Sequence, residues 1–166
     1  RSRAALRAGL GRTSHLGILE GDEVVYLGLS DSTPNSKLYA QVGRRSPAYC
    51  SSMGKCLLAC LGRDELEESL NACKFERFTP KTICDRDELR RHLLTVRGQG
   101  WAMDMEEYKP GHCCVAAPVF DYRGDSLAAV SVSGTPRDFP ARRLEQIAQA
   151  VRDRAPDISR SLVYAG

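Results

Sequence analysis

The stretch that decides the fold is Gly100–Gly134, GWAMDMEEYKPGHCCVAAPVFDYRGDSLAAVSVSG. It contains three β-prone runs, from Trp101 to Glu107, from Cys114 to Phe120 and from Leu127 to Ser133. The last two runs are separated by the turn sequence Asp121 to Asp125 (DYRGD), which favours a hairpin. The sequence therefore predicts three strands here, of which the second and third are antiparallel.

The segment near the start of the chain predicts another hairpin. Thr13 to Leu19 and Val24 to Leu29 are apolar, β-prone runs, and the EGDE sequence between them is typical of a turn. Lys37 to Val42 can supply a further strand, after which Gly43 to Pro47 (GRRSP) breaks the pattern. Strands are thus expected near the start of the chain as well as in Gly100–Gly134.

Two helices are predicted after this hairpin. Ser51 and Ser52 are suitable N-caps for a helix of apolar and small residues, which Gly62 is expected to end. A second helix is expected from about Asp64 to Leu70. Both helices precede the decisive stretch.

Two further helices complete the pattern. Asp85 can cap one, with Gly98 and Gly100 as its stop. Apolar residues keep helical spacing from Pro140 to the end of the chain, with a kink or a short break expected at Pro156. The order of elements predicts an α+β fold, in which one antiparallel sheet is flanked by helices.

The composition limits the class of protein. The chain has 166 residues, of which 42% are hydrophobic, and this is the size and apolar content of one compact domain. A charged fraction of 27% and a formal net charge of +3 indicate neither a disordered chain nor a strongly basic nucleic-acid binder. No apolar run reaches membrane-spanning length, so no membrane association is expected.

The cysteines and the start of the chain indicate where the protein acts. Seven cysteines form an odd set without CxxC pairs, which matches neither a disulfide framework nor a zinc ribbon, and a reducing cytoplasm is expected. Ala4 to Leu10 consists of good helix formers, typical of the tail of a connecting helix. Since the chain starts at Arg1 without a secretory pattern, we expect a domain to be missing upstream.

Enzyme motifs are not found in the sequence. It has no P-loop, no dinucleotide GxGxxG, no HExxH and no GxSxG. His15, His92 and His112 lie far apart, so no histidine-based catalytic arrangement can be inferred from spacing. The prediction is a protein that is not an enzyme and needs no cofactor.

A first candidate site lies where small residues begin a helix. The free N–H groups and the dipole of such a helix end favour an anion, so Ser52, Met53 and Gly54 could hold a carboxylate, with Gly54 allowing close approach. The alternative is that the serines only cap the helix and Gly54 packs against a neighbouring strand, which local chemistry alone favours. Lys55 is expected to be solvated in either case.

A second candidate site lies on the predicted strands. Alternation places Asp104 and Glu106 on one face, where a buried carboxylate would need a partner or a ligand hydroxyl. The alternative places Asp104 at an exposed edge. Ser131 and Ser133 turn an otherwise apolar strand face polar and can bind an acid or keto group, unless nearby backbone satisfies both hydroxyls.

A metal site is a further hypothesis. Imidazole and thiolate bind zinc and related ions, and His112 and Cys114 could face the same side of a strand, whereas Cys113 faces the other. The favoured interpretation makes Cys114 a small buried or pocket-lining residue, with no metal bound.

Three blocks of the sequence resemble one known family. Gly17–Leu29 (GILEGDEVVYLGL) is similar to its first hairpin, and Gly43–Ala59 (GRRSPAYCSSMGKCLLA) to its Gly-Arg-x-x-Pro and small-small-x-Gly-Lys-x-x-Leu-Ala segment. Gly100–Gly134 resembles its Gly-aromatic-x-x-Asp-x-Glu-Glu, Gly-x-x-Cys-x-Ala-Ala-Pro-Val and Ala-Ala-Ser-Ser-Gly run, with a valine between the two serines. The blocks resemble the effector-binding domain of the IclR family of bacterial transcription regulators.

The resemblance implies a GAF-like (profilin-like) antiparallel sheet flanked by helices. Residues 1–11 would end a helix that connects to a missing N-terminal winged helix-turn-helix, and residues 12–166 would form the effector-binding domain. DNA would be bound only through the missing domain, and the protein would form a homodimer or a homotetramer. The family's effector contacts fall on Ser52, Met53, Gly54, Asp104, His112, Cys114, Ser131 and Ser133.

The implied partner is a small organic acid, such as a hydroxy, keto or aromatic acid. His112 stands where some relatives carry an aliphatic residue, which leaves the identity of the acid open. The alternative function is a metal- or thiol-dependent enzyme that uses His112, Cys114 and Asp104.

Overall fold

One antiparallel sheet organises the protein in the computed structural model, which describes residues 13–30 and 42–164. The strands in these residues are β1 (Thr13–Glu20), β2 (Glu23–Ser30), β3 (Arg45–Pro47), β4 (Ala102–Met105), β5 (Cys113–Phe120) and β6 (Ser126–Gly134). Their order across the sheet is β3-β2-β1-β6-β5-β4, and every neighbouring pair is antiparallel. Both predicted hairpins are confirmed.

The edge strand differs from the prediction. The strand expected from Lys37 to Val42 lies outside the described residues, except for Val42, which is in a turn. The segment expected to break the pattern instead supplies β3, and Pro47 ends it. Because β3 is at the edge of the sheet, a proline that cannot donate a hydrogen bond is tolerated there.

Three of the predicted helix-capping residues, Ser51, Asp85 and Gly100, cap helices in the structure. The helices are α1 (Ser52–Ala59), α2 (Arg63–Ala72), α3 (Arg86–Gln99) and α4 (Leu144–Tyr164). The Ser51 side chain accepts from the Gly54 amide, the Asp85 side chain accepts from the Glu88 amide, and Gly100 ends α3 with a φ of 81°. Gly62 does not end α1 but precedes α2 as its N-cap.

The last helix is not interrupted at Pro156. Pro140 precedes a short 3-10 turn (Ala141–Arg143), and α4 continues from Leu144 through Pro156 to Tyr164. Ala4 to Leu10, the expected connecting helix, lies outside the described residues.

The sheet separates two apolar clusters. One face packs on α1, α2 and α3 through residues such as Leu58, Leu70 and Leu89, and the other packs on α4 through residues such as Val132 and Val151. The sheet carries small side chains towards α1, namely Ala102, Ala116 and Ala129. These let the helix lie close to the strands, and the Cys56 thiol reaches the Ala116 carbonyl at 3.2 Å. The predicted α+β, GAF-like class is confirmed.

None of the helices in the described part of the chain combines the length and the apolar character needed to span a bilayer.

Candidate functional site

A row of polar side chains crosses the sheet face that α1 covers. Asp104 on β4 lies opposite Cys114 on β5, and Cys114 lies opposite Ser133 on β6. Ser131, two residues before Ser133, lies opposite His15 on β1. We call these five residues the polar row. Because neighbouring strands lie about 4.8 Å apart, it extends roughly 14 Å across four strands.

Hydrogen bonds join members of the polar row. His15 Nε2 lies 3.0 Å from Ser133 Oγ, and Cys114 Sγ lies 3.1 Å from Nε2 of His112, which directly precedes β5. The His15 ring also meets the Tyr26 ring edge to face, with 5.5 Å between their centres. An imidazole therefore lies at each end of the pair formed by Ser133 and Cys114: His15 beside Ser133 and His112 beside Cys114.

The N-terminus of α1 lies over this row. Ser52 lies beside the Cys114 thiol, and a Cβ built on Gly17 of β1 would be 3.2 Å from Met53 Cε. Helix geometry leaves the backbone N–H groups of Ser52 and Met53 without an acceptor inside the helix. Two amides and a helix dipole are thus available where an anion could contact the row.

Gly54 has a structural role at this helix end. Its N–H donates to the Ser51 hydroxyl at 3.1 Å. A Cβ at this position would lie 2.2 Å from the Ala48 carbonyl oxygen, too close for any side chain. Gly54 therefore packs closely against its surroundings, as the alternative interpretation expected, but against the backbone of Ala48 and not against a neighbouring strand.

Asp104 is buried, so the exposed-edge alternative is wrong. The residue is 3% exposed, and its carboxylate accepts from the Glu107 amide at 2.8 Å. Burial raises its pKa to about 7, with a further rise from the Glu107 charge and an opposing effect of Lys55. This carboxyl group can thus act as a hydrogen-bond donor or acceptor near neutral pH.

The predicted pairing of Asp104 with Glu106 on one face is wrong. Glu106 has a φ of 58°, which ends the strand alternation after Met105. Its carboxylate turns outward to Lys81 at 2.9 Å, and Glu107 is the acidic residue buried beside Asp104. Because Glu106 has a left-handed backbone conformation, Glu107 and not Glu106 lies on the side of Asp104.

Lys55 is buried, which contradicts the expectation that it is solvated. Its side chain is 1% exposed and its ammonium lies 2.7 Å from the Glu107 carboxylate. The same ammonium donates to the Met103 carbonyl. Since a buried charge is costly without a partner, Glu107 explains why lysine is tolerated here.

The enzyme alternative requires a cluster of metal ligands or a reactive thiolate. Residues 13–30 and 42–164 contain no group of three or more His, Cys, Asp or Glu side chains placed to hold a metal ion. Burial, followed by the Asp104 charge, raises the pKa of Cys114 well above its ordinary value, so the thiol is not the thiolate that a nucleophile requires. Burial also lowers the pKa of His112, which favours the neutral imidazole.

His15 and Tyr26 are two members of this region that sequence reasoning missed. The alternation of side chains along TSHLGILE does place His15 on the same face as Gly17. The sequence lacks the information that β6, over a hundred residues later, pairs with this strand.

A separate cleft has no member of the predicted site. It has a volume of about 610 Å³ and lies between α4 and the end of β5, with Phe120, Pro156 and Arg152 in its wall. We assign no ligand to it.

A comparison with protein families finds one match. Residues 4–160 fit the family described as bacterial transcriptional regulator IclR, C-terminal. This match covers most of the chain.

Curated relatives are transcriptional regulators. The chain is 38% identical over 152 residues to the HTH-type transcriptional regulator KdgR of Escherichia coli strain K12, which is 92% of this chain and 58% of KdgR. It is 35% identical over 154 residues to the HTH-type transcriptional regulator XynR of the same strain, which is 93% of this chain and 61% of XynR. The chain thus spans less than two thirds of the length of these relatives.

Solved structures share the fold. The Thermotoga maritima IclR structure matches with a TM-score of 0.87 at 32% identity, covering 97% of this chain and 65% of that one. A PobR inducer-binding domain from Acinetobacter, a double mutant in complex with 3-hydroxybenzoic acid, matches with a TM-score of 0.85 at 27% identity, covering 95% and 93%.

Proposed function

The chain belongs to the IclR family of bacterial transcriptional regulators, and on this premise we propose that it is an effector-sensing domain for a small organic acid. The observation that carries the proposal is the position of the α1 N-terminus above the polar row, where Ser52 lies beside Cys114 and Met53 lies against Gly17 of β1. A helix end that favours an anion thus lies next to a band of hydrogen-bonding side chains.

The carboxylate of the acid binds at the amides of Ser52 and Met53. Two backbone donors at a helix N-terminus suit an anion. They can donate to it because they have no acceptor within the helix. Gly54 supports this end by its contact with Ala48, and it has no side chain that would keep a ligand from the backbone.

The rest of the acid lies along the polar row. Ser131 and Ser133 present hydroxyl groups, and Asp104 binds a hydroxyl or keto group of the ligand, which its protonation near pH 7 permits. His112 and Cys114 close the wall beside Asp104 as neutral groups.

The readout is DNA binding by the full-length protein. The curated relatives are HTH-type regulators, and this domain spans about 58% of KdgR, so we place a helix-turn-helix domain before residues 1–11 of this chain, which connect to it. Binding of the acid changes the arrangement of the subunits in a cytoplasmic homodimer or homotetramer, which requires different affinities for the acid in the two arrangements.

A thermal-shift screen tests the proposal. The domain is titrated with a panel of hydroxy, keto and aromatic acids, and the same panel is applied to Asp104→Ala and Ser133→Ala. A saturable rise in Tm with one acid class, lost in both variants, is the expected result, because a ligand that binds only the folded state stabilises it. An unchanged Tm with every acid would refute the proposal.

A metal assay separates the enzyme alternative from the sensor. Purified protein is assayed for zinc and iron before and after His112→Ala. We expect no stoichiometric metal in either sample. A metal that is present and lost on substitution would favour the enzyme.

A further inference from the structure

His15 lies at the end of the polar row that is remote from Asp104. It is on β1, opposite Ser131, and its Nε2 lies 3.0 Å from Ser133 Oγ. Neither the resemblance nor the motifs singled it out. The Tyr26 ring packs edge to face against the His15 imidazole and helps to hold it in place.

The bond between His15 and Ser133 orients the hydroxyl group. If Nε2 accepts, the Ser133 hydrogen points to the ring and its oxygen can accept from a ligand. If Nε2 carries the proton, the Ser133 hydroxyl is free to donate. A ligand hydroxyl satisfies both states because it can donate and accept, whereas a methylene group satisfies neither.

The polar row carries hydrogen-bonding groups along its whole length. From Asp104 through Cys114, Ser133 and Ser131 to His15, no member is an aliphatic or aromatic hydrocarbon. An apolar ligand packed against this row would offer these groups no hydrogen-bond partner, which costs affinity. A very short acid would contact only part of a band about 14 Å long.

We propose, building on the effector-sensing function, that His15 is a specificity-determining residue and that the effector is an aliphatic acid with hydroxyl groups along its carbon chain. The carboxylate lies at Ser52 and Met53, and a hydroxyl far from it contacts Ser133 and His15. An aromatic acid or an unsubstituted fatty acid binds more weakly at this site.

Isothermal titration and thermal shift with three probes test this inference. The probes are gluconate, which carries hydroxyls along its chain, hexanoate, which has the same number of carbons without hydroxyls, and 3-hydroxybenzoate. Gluconate is expected to bind the unmodified domain more tightly than the other two. Each probe is measured on His15→Leu, His15→Gln and, as a control outside the polar row, His92→Leu.

The variants separate recognition from folding. We expect His15→Leu to weaken gluconate binding about tenfold, the value of one hydrogen bond, without weakening hexanoate binding. Glutamine can still reach Ser133, so His15→Gln keeps most of the affinity, and His92→Leu keeps all of it. The Tm of each variant without ligand shows whether it is folded, and if His15→Leu is not, the smaller truncation His15→Ala is measured in its place with the same expected loss.

Different failures have different meanings. Equal gluconate affinities of the unmodified domain and a folded His15→Leu would overturn the role of His15, while the sensor function would stand. Tighter binding of 3-hydroxybenzoate or hexanoate than of gluconate would overturn the ligand class. A panel in which no acid binds would overturn the sensor function and this inference together.

Discussion

The ammonium of Lys55 lies 2.7 Å from the carboxylate of Glu107 inside the protein, with side chains that are 1% and 10% exposed. Lys55 is on α1 and Glu107 follows β4, so the pair joins the helix that begins above the polar row to the segment that carries Asp104. The two halves of the candidate site are thus held by one buried charge pair.

Removing one partner of this pair is expected to destabilise the domain strongly. Lys55→Met leaves the Glu107 charge buried without a cation, which costs about 3–5 kcal/mol in the free energy of unfolding. The double variant Lys55→Met with Glu107→Leu regains most of this loss because no charge remains buried. Urea unfolding measures both. A loss in the double variant equal to the sum of the losses in Lys55→Met alone and Glu107→Leu alone would contradict this explanation.

An exposed charge pair provides the matched control. Arg90 and Glu67 form an ion pair with side chains 33% and 39% exposed. Arg90→Met is expected to cost less than about 1 kcal/mol, since solvent screens this pair.

Gly54→Ala is expected to disrupt the start of α1. The new Cβ would lie 2.2 Å from the Ala48 carbonyl oxygen, and adjustment is difficult because the three nearest atoms all belong to the backbone of Ala48. We expect a loss of about 3 kcal/mol. Gly98→Ala in α3 is the control, because a Cβ there meets nothing within 4 Å and alanine favours a helix by about 0.5–1 kcal/mol. Equal effects of the two substitutions on Tm would be inconsistent with this packing.

The stability of the ligand-free domain is expected to depend on the ionisation of Asp104. Its folded-state pKa is raised to about 7 from an ordinary 3.8, so the folded state holds a proton that the unfolded chain has lost. The contribution of this group is therefore fully present below about pH 4 and is lost as the pH rises to about 7, by on the order of 1 kcal/mol per pH unit. Asp104→Asn should remove this part of the slope in Tm measured from pH 4 to 8.

Glu106→Gln is the control for the pH dependence. Lys81 lowers the pKa of Glu106, so this group contributes stability at higher pH and loses it as the pH falls through its folded-state pKa. Its substitution should change the slope in the opposite direction and only slightly, because the carboxylate is near the surface. If both variants keep the original slope, the pH dependence has another origin.

Thiol labelling should separate the seven cysteines into two groups. Cys60, Cys73 and Cys84 are partly exposed and should react first with an aromatic disulfide reagent. The buried thiols are Cys50, Cys56, Cys113 and Cys114. Burial keeps the reagent away from these four thiols, so labelling should wait for local unfolding. Burial also raises the pKa of all four, as it does for Cys60 and Cys73, so accessibility is what separates the groups. Mass spectrometry of timed samples reads the order, and early labelling of Cys114 would contradict the buried site.

Much of the fold was predictable because its signals are local. Ser51 and Asp85 cap the helices that they were expected to cap, and Gly100 ends α3 in the left-handed conformation that glycine adopts easily. Short turns joined the strands of both hairpins. The residues proposed for effector contact came from motifs of a family to which the chain belongs, so they too could be named from sequence.

The elements and the α+β class follow from the sequence alone, since capping, alternation and helical spacing act over a few residues, and the family follows from its motifs. Only the tertiary structure decided that Lys55 is buried on Glu107, that Glu106 leaves the face of Asp104, and that His15 meets Ser133, 118 residues away. The physical reason is that burial and pairing of a polar group depend on which distant strand or helix covers it. No local pattern encodes that neighbour.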